Sequence, residues 1–269
     1  MSTVLETETA PSALTGAWRA FTLQMALYKH VWHGTVFTSV LLPILYMVSI
    51  GIGVGAYIDP ASIGGLDYAE FIAPGLICSV AVMMLGNDMV FPVFGGYADW
   101  GGHYLAQRAS PLRPVDILNG HLAYAVIFRP LTNCTIVAIV LAFFGVYDNG
   151  WWAVFAVVAA ALVSASLAPW LFFWASSLRN DANLNMIFRF AVMPISLFSG
   201  VFFPADQMPG FLQPLVWISP LWHGTELARA ATANVAPALP PVVHIAYLAA
   251  LAVAGWFLAH RVVQRRLNF

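Results

Sequence analysis

The sequence predicts an all-α integral membrane protein with six transmembrane helices, an N-terminal cytoplasmic interfacial helix and an external re-entrant helical segment before the last span. Three observations support this fold class. Of the 269 residues, 61% are apolar and only 9% are charged, against roughly a quarter in soluble domains, and the mean hydropathy is +0.79. Because 11 basic and 12 acidic residues cannot cover a soluble body of this size, a soluble enzyme and a disordered chain are both excluded. Lipid must replace water around this chain.

Long windows without a charged residue locate the spans, because a spanning helix needs about 20 mostly apolar residues. The longest such windows lie between His33 and Asp59, between Asp148 and Arg179, and between Arg229 and Arg261. The six predicted spans are residues 36–57, 71–93, 117–145, 152–178, 184–204 and 240–260.

The distribution of basic residues predicts the orientation, since cytoplasmic loops are enriched in Lys and Arg. With six spans, both termini share one side of the membrane. That side has eight basic residues: Arg19, Lys29, Arg108, Arg113, Arg179, Arg261, Arg265 and Arg266. The opposite side has only Arg229. The chain is therefore predicted to be a multi-pass protein of the cell inner (plasma) membrane with both termini in the cytoplasm.

The ends of the chain are predicted to lie outside the membrane domain. Residues 1–13 are polar and acidic, which predicts a disordered tail, and residues 262–269 form a cytoplasmic C-terminal tail. The transmembrane domain is assigned to residues 34–261. A net charge of −1 provides no basic excess for binding nucleic acid, so nucleic acid is not expected to be a partner. Membrane lipid is expected to be one.

Residues 14–33 are predicted to form an interfacial helix on the cytoplasmic leaflet. Their aromatic and apolar residues recur at helical spacing, next to a polar stripe. The apolar stripe consists of Trp18, Phe21, Met25, Tyr28 and Trp32, and the polar one of Arg19, Thr22, Lys29 and His33. The alternative is an irregular start of the first span.

Two further segments are too unusual to be simple connections. Residues 95–116 form the longest cytoplasmic loop, which is Gly-rich at its start and Pro-rich at its end, with a short helix predicted at about 102–109. Residues 204–233 contain Pro204, Pro209, Pro214 and Pro220 yet remain apolar. This second segment is too broken to span and too apolar to be a free loop, so short helices that dip into the outer leaflet are expected. A plain linker is the alternative for residues 95–116.

Several chemistries are poorly supported by the sequence. A phosphate-binding loop needs a Lys after its glycines, and the only Lys is Lys29, so this chain is expected to bind no ATP and no other cofactor. No histidine in a span has a metal-ligating neighbour at helical spacing, so no metal site is predicted. An intramembrane protease built from Ser199 with His223 or His244 is a weak alternative.

Charged residues in spans are costly and face a cavity or a partner. Asp88 and Arg129 therefore predict either a polar translocation path or an ion pair between helices, and Arg189 lies near the cytoplasmic end of its span, where it can snorkel. Outside the spans, Glu226 and Arg229 are three residues apart, which places them on one helix face and predicts a structural pair.

Two stretches carry a resemblance to a known family. The first is PISLFSGVFFP at 194–204, which ends the fifth span and is followed by Pro209 and then by SPLWHGTELAR at 219–229. The second is ASPLRPVDILNG at 109–120, at the start of the third span. Together they resemble the ABC-2 type transporter permeases, close to the NodJ-like and DrrB-like export permeases. The resemblance extends over about residues 14–269.

The resemblance implies a permease subunit of an ATP-binding-cassette exporter that moves an amphiphilic substrate outward: a lipid-linked oligosaccharide, a glycolipid or a hydrophobic drug. It implies a second permease copy or paralogue and a separate ABC ATP-binding subunit that holds ATP and Mg. The competing class is a structural or assembly membrane protein without transport, which predicts no ATPase encoded beside it.

The site residues follow from this interpretation. Contact between the 95–116 loop and the ATPase is assigned to Tyr104, Leu105, Gln107 and Arg108. The translocation path or outer gate is assigned to Arg129, Phe198, Ser199, Phe202, Phe203, Trp222 and His223.

Overall fold

Helices form the whole regular structure of the described part of the chain. The computed structural model describes residues 12–97, 102–147, 150–233 and 235–267, and every regular element within these ranges is helical. The side chain of Arg108 and most of the predicted N-terminal tail lie outside the described part.

The N-terminal helix α1 (Ala13–Tyr28) begins at Ser12, whose Oγ accepts a hydrogen bond from the backbone N of Thr15 at 3.3 Å. The predicted interfacial helix is thus shorter than 14–33, because the chain turns after Tyr28 and Trp32 begins the next helix. The buried face of α1 consists of Gly16, Ala20 and Gln24. The small residues Gly16 and Ala20 allow α1 to pack closely against the start of the third long helix.

Five helices of the described residues are long and apolar enough to cross a membrane, and they agree with five of the six predicted spans. They are Trp32–Tyr57, Pro60–Tyr97, Pro114–Ala142, Gly150–Ser177 and Pro241–Leu267. The last helix continues to Leu267, so most of the predicted C-terminal tail is helical. The chain is therefore a multi-pass membrane protein.

The long helices are mostly composite. The first contains α2 (Trp32–Tyr46), and the second contains α3 (Tyr68–Leu85), the π-helical turn Gly86–Val90 and α4 (Phe91–Tyr97). After α5 (His103–Arg108), the third contains α6 (Pro114–Ala123), the π-helical turns Tyr124–Phe128 and Pro130–Cys134, and α7 (Thr135–Ala142). The fourth contains α8 (Ala153–Ser177).

The predicted span 184–204 does not form one long helix, so the count of six spans is not confirmed. The helical run consists of α9 (Leu184–Ile187), the π-helical turn Phe188–Val192 and α10 (Met193–Leu197). At 1.5 Å per residue, these residues extend only about 21 Å, less than the roughly 30 Å of a hydrocarbon core. The helix ends at Leu197, with Phe198 as its C-cap, and Gly200 after it adopts a left-handed conformation, with φ of 67°.

Residues 204–233 form short helices, as predicted. After Pro204 come α11 (Gln213–Ile218) and α12 (Pro220–Thr232), each with a proline in its first turn, where the missing N–H costs nothing. Most of α12 is buried, and it packs against α3, α8 and the last helix, α13 (Pro241–Leu267). Pro220 therefore starts a well-packed helix, whereas α11, of which only Val216 is buried, lies at the surface.

Candidate functional site

The short helix α5 places the residues predicted to contact an ATPase in different environments. Tyr104 is fully buried, with its ring centroid 5.0 Å from that of Tyr97 and 6.1 Å from that of Phe172. Gln107 is also buried, whereas Leu105 is 46% exposed. Leu105 is thus the described member of the predicted set that is available to a partner, while Tyr104 and Gln107 face the interior of the subunit.

His103 also belongs to α5, directly before Tyr104 in the sequence. The ring of His103 lies 4.4 Å from the ring of Tyr104, and burial lowers the pKa of His103. His103 is therefore neutral at physiological pH and adds no charge to α5.

A chain of hydrogen bonds connects Tyr104 to the second long helix. The Nε2 of His121 lies 3.1 Å from the backbone carbonyl of Asp88. Since a carbonyl only accepts, Nε2 holds the proton and Nδ1 is an acceptor. The Tyr104 hydroxyl donates to that Nδ1, and the Nε2 amide of Gln24 approaches the same atom at 3.4 Å. Helices α1, α5 and α6 therefore meet at one buried histidine.

The same turn of the second long helix holds a buried ion pair. The Nε of Arg129 lies 2.5 Å from Oδ2 of Asp88, and the guanidinium lies over the ring of Tyr28, 5.0 Å from its centroid. The space around the pair is too small for a water molecule. Of the two predicted roles, the ion pair between helices is the one formed in this conformation.

One donor of Arg129 remains unused. Its Nη1 is buried and has no hydrogen-bond partner among the described residues. A buried unsatisfied donor costs free energy. A rearrangement of the helices that gives Nη1 of Arg129 an acceptor would therefore be favourable. Gln24, Asp88, Tyr104, His121 and Arg129 are called the inner polar network below.

Irregular helix geometry positions this network. Asp88 lies in the π-helical turn Gly86–Val90, and Arg129 lies between Tyr124–Phe128 and Pro130–Cys134. Pro130 has no N–H to donate to the helix ladder, and π-helical turns are frequent at functional sites. Local spacing could not reveal the roles of Gln24 and Tyr104, because they lie 97 and 17 residues from His121.

On the opposite side of the bundle, the Glu226–Arg229 pair anchors α12. Arg229 Nη1 lies 2.8 Å from Glu226 Oε1. Its Nε donates to the carbonyl of Phe71 at 3.3 Å and its Nη2 to that of Gly200 at 3.1 Å. The guanidinium lies 3.9 Å from the Phe71 ring centroid. These extra partners are distant in the sequence and were not predicted. They bury the pair and connect α12 to α3 and to the loop after α10.

The predicted gate aromatics differ in exposure. Phe203 is 51% exposed and Phe198 38% exposed, whereas Phe202 is partly buried, 6.0 Å from the Tyr46 ring. Trp222 is buried, and a Cβ at Gly200 would lie 2.9 Å from its Cδ1. The gate itself stays a prediction.

The predicted Ser199–His pair of a protease is not formed. The Ser199 hydroxyl contacts Ser219 Oγ at 2.5 Å and the carbonyl of Ile195, while Nδ1 of His223 lies 2.8 Å from Nδ1 of His244. Because the histidine is bonded to another histidine, it is not placed to activate the serine. Within the described ranges, no group of three or more His, Cys, Asp or Glu residues could hold a metal ion.

Comparison with known proteins identifies the family. The model of the ABC-2 type transporter family matches residues 17–232. The chain belongs to the ABC-2 type transporter family. The matched region of this ABC-2 protein begins in α1 and ends at the last residue of α12, so it includes the inner polar network and the Glu226–Arg229 pair.

Curated relatives of this ABC-2 chain have printed names that concern nodulation or transport. It is 27% identical over 229 residues to nodulation protein J of Rhizobium leguminosarum bv. trifolii, covering 84% of each chain. It is 25% identical over 277 residues to nodulation protein J of Neorhizobium galegae, covering 98% of each. It is 23% identical over 194 residues to the inner membrane transport permease YadH of Escherichia coli K12, covering 72% of this chain and 73% of that one.

Membership settles the broad class of this protein. ABC-2 permeases are transport proteins that work with an ATP-binding subunit and are not enzymes by themselves. The chain is accordingly a transmembrane permease of the ABC type.

Proposed function

We propose that this chain is the permease subunit of an exporter that moves an amphiphile out of the cell, driven by a separate ATP-binding-cassette subunit. The observation that best supports this proposal is the inner polar network beneath α5. Leu105 is exposed on α5 and Tyr104 is fully buried. One face of this cytoplasmic helix can therefore contact the ATPase, while the other face transmits the movement to the inner polar network.

The proposed transmission uses contacts already described. Closure of two ATPase subunits would move α5, and with it the Tyr104 hydroxyl that bonds His121. His121 in turn holds the carbonyl of Asp88, whose carboxylate holds Arg129. Movement of packed helices between two arrangements is a common mechanism of transport proteins. Here it would separate Asp88 from Arg129 and offer Arg129 a new partner.

An amphiphilic substrate is supported by a cleft between α2, α3 and α10. Its volume is about 330 Å³, and it is lined mainly by apolar residues, among them Leu42, Met83 and Met193, with hydroxyls from Thr38 and Ser196. Such a lining suits a lipid-linked oligosaccharide, a glycolipid or a hydrophobic drug better than a small ion. Phe202 lies at this cleft, where a gate residue would contact the substrate.

The proposal extends to location and partners. The chain would lie in the inner (plasma) membrane with both termini in the cytoplasm, as the distribution of its basic residues indicates. A second copy or a paralogue would complete the permease, and ATP and Mg would bind in the partner ATPase subunit.

Reconstitution tests the proposal directly. The chain is co-purified with the ATP-binding-cassette subunit encoded beside its gene and placed in proteoliposomes. Export of a fluorescently labelled glycolipid and ATPase rate are then measured. Leu105→Ser should leave the complex assembled but reduce ATP-dependent export, because the contact with the ATPase is weakened.

Leu27→Ser is a matched control, since Leu27 on α1 is also 46% exposed. It should leave export unchanged. If no ATPase is encoded nearby or none copurifies, or if Leu105→Ser exports as well as the wild type, the proposal fails.

A further inference from the structure

A groove on the outer surface of the bundle is not used by any step proposed above. It lies between α6, α8 and α13 and has a volume of about 420 Å³. None of its lining residues is charged, and they include Val126, Ile127, Ala165, Val253, Trp256 and Phe257. Ile127, Val253 and Phe257 are each more than half exposed, so the groove is open to the surrounding lipid.

One end of the groove is closed by a polar contact. Trp256 Nε1 donates to Asn119 Oδ1 at 2.9 Å, and the ring of His260 stacks on that of Trp256 at 5.1 Å. At 1.5 Å per residue, Phe257 lies about 15 Å along the axis from the last described residue of α13. Along α13 the lining residues run from Ala252 to Phe257, so the Phe257 end of the groove faces the C-terminal end of the helix.

Positive charges follow the groove along α13. Arg261 comes one helical turn after Phe257, and Arg265 comes one turn later. Both are exposed, and within the described ranges neither forms an ion pair, in contrast to Arg113, Arg129 and Arg229. Long arginine side chains can reach back along a helix to the membrane surface.

We propose that the groove binds an acyl chain of an anionic glycerophospholipid, whose phosphate is held by Arg261 and Arg265. An apolar groove next to unpaired guanidinium groups complements a molecule with an apolar tail and an anionic head. A zwitterionic lipid would fill the groove equally well but would lose the charge attraction. The site belongs to the leaflet around the C-terminal end of α13 and does not depend on export.

Native mass spectrometry of the full chain in mild detergent can measure this preference. Palmitoyl-oleoyl phosphatidylglycerol is compared with phosphatidylcholine that has the same acyl chains. The wild type should bind the anionic lipid more tightly. Replacing Arg261→Gln and Arg265→Gln should weaken phosphatidylglycerol binding by about fivefold for each arginine and leave phosphatidylcholine unchanged. Arg19→Gln, an exposed change on α1, is the charge control.

Filling the groove tests the acyl-chain part separately. Ala123→Leu with Ala165→Leu should weaken binding of both lipids, whereas Ala250→Leu, on an exposed face of α13 outside the groove, should have no effect. Circular dichroism checks that each variant is folded. Equal affinity of the wild type for both lipids, an anionic preference that survives the arginine changes, or binding unaffected by the filled groove would each overturn the proposal.

Discussion

Two buried arginines differ in how many of their guanidinium nitrogens are hydrogen-bonded. Arg229 directs its donors to Glu226, Phe71 and Gly200, so its position is fixed by three separate segments. The side chain of Arg129 has Asp88 as its one hydrogen-bonding partner in the described part of the chain, and its Nη1 is buried without an acceptor. Arg229 therefore holds its helix in one position, whereas Arg129 has a free donor with which it can bind another partner.

The Asp88–Arg129 pair leads to a prediction about stability. Arg129→Met leaves the Asp88 carboxylate buried without a partner, and we expect this to lower the free energy of unfolding by about 3–5 kcal/mol. The combined change Asp88→Leu with Arg129→Met removes both charges and should recover most of the loss. Thermal unfolding of the purified chain in detergent measures all three proteins.

If the double variant is no more stable than Arg129→Met, the pair does not behave as a desolvated ion pair. A double variant that is stable but exports nothing would assign the pair to function, beyond its structural role.

The Tyr104 hydroxyl leads to a prediction about coupling. Tyr104→Phe keeps the ring between Tyr97 and Phe172 but removes the bond to His121, so stability should fall by only about 1 kcal/mol. Export per ATP hydrolysed should fall more steeply, because α5 loses its polar connection to Asp88. Parallel transport and ATPase assays give this ratio. Tyr147→Phe removes a hydroxyl that bonds only the carbonyl of Ala138, and it should leave the ratio unchanged.

At the scale of elements, hydropathy predicted the five long helices well because each is a long apolar run. It failed at 184–204 for two reasons. A window without charges does not detect that Gly200 turns left-handed, and it does not detect that Phe198 ends the helix. The aromatic stripe predicted the interfacial helix, yet the residues that α1 buries fully are Gly16, Ala20 and Gln24. The aromatic residues Phe21 and Tyr28 are only partly buried, against Phe128.

The contact between α1 and α6 leads to a matched pair of variants. A Cβ added at Gly120 would lie 2.5 Å from the Ala20 Cβ and 2.6 Å from the Ala17 carbonyl oxygen. Gly120→Ala should therefore push the helices apart and cost about 1–3 kcal/mol. Gly34→Ala, in α2, meets no atom within 4 Å and should be neutral or stabilising by up to about 1 kcal/mol. Similar melting temperatures for the two variants would contradict this close contact.

At the scale of the molecule, burial separates the inner helices from the outer ones. The apolar window of the second long helix is 72% buried, whereas those of the first and last are 22% buried. The first and last helices therefore present apolar side chains outward, to lipid or to a second permease. Composition and motifs were enough to predict the fold class and the family. The inner polar network could be recognised only in the fold, because its members are dispersed between Gln24 and Arg129.

The outer aromatics lead to a prediction about the closed state. Phe202→Ala with Phe203→Ala should open an ion leak or change the range of substrates, because both rings lie where α10 ends and the re-entrant segment begins. Ion flux into proteoliposomes is measured without ATP. Phe211→Ala is the control, since Phe211 is 81% exposed and touches little. Cysteine labelling across 205–233 accompanies this test, and uniform labelling from outside would contradict a packed segment.

The π-helical turns around Arg129 also determine how relatives should be aligned. A turn closed by i→i+5 bonds holds about one residue more than an α-helical turn. Deleting one residue between Tyr124 and Phe128 would convert that π-helical turn into an α-helical one, and the helix after it would keep nearly the same face. The arginine would then still point towards Asp88. A single-residue gap here in another family member, with the arginine retained, is therefore compatible with the same ion pair, whereas a gap in a regular α-helical stretch of the same span would rotate everything after it by about 100°.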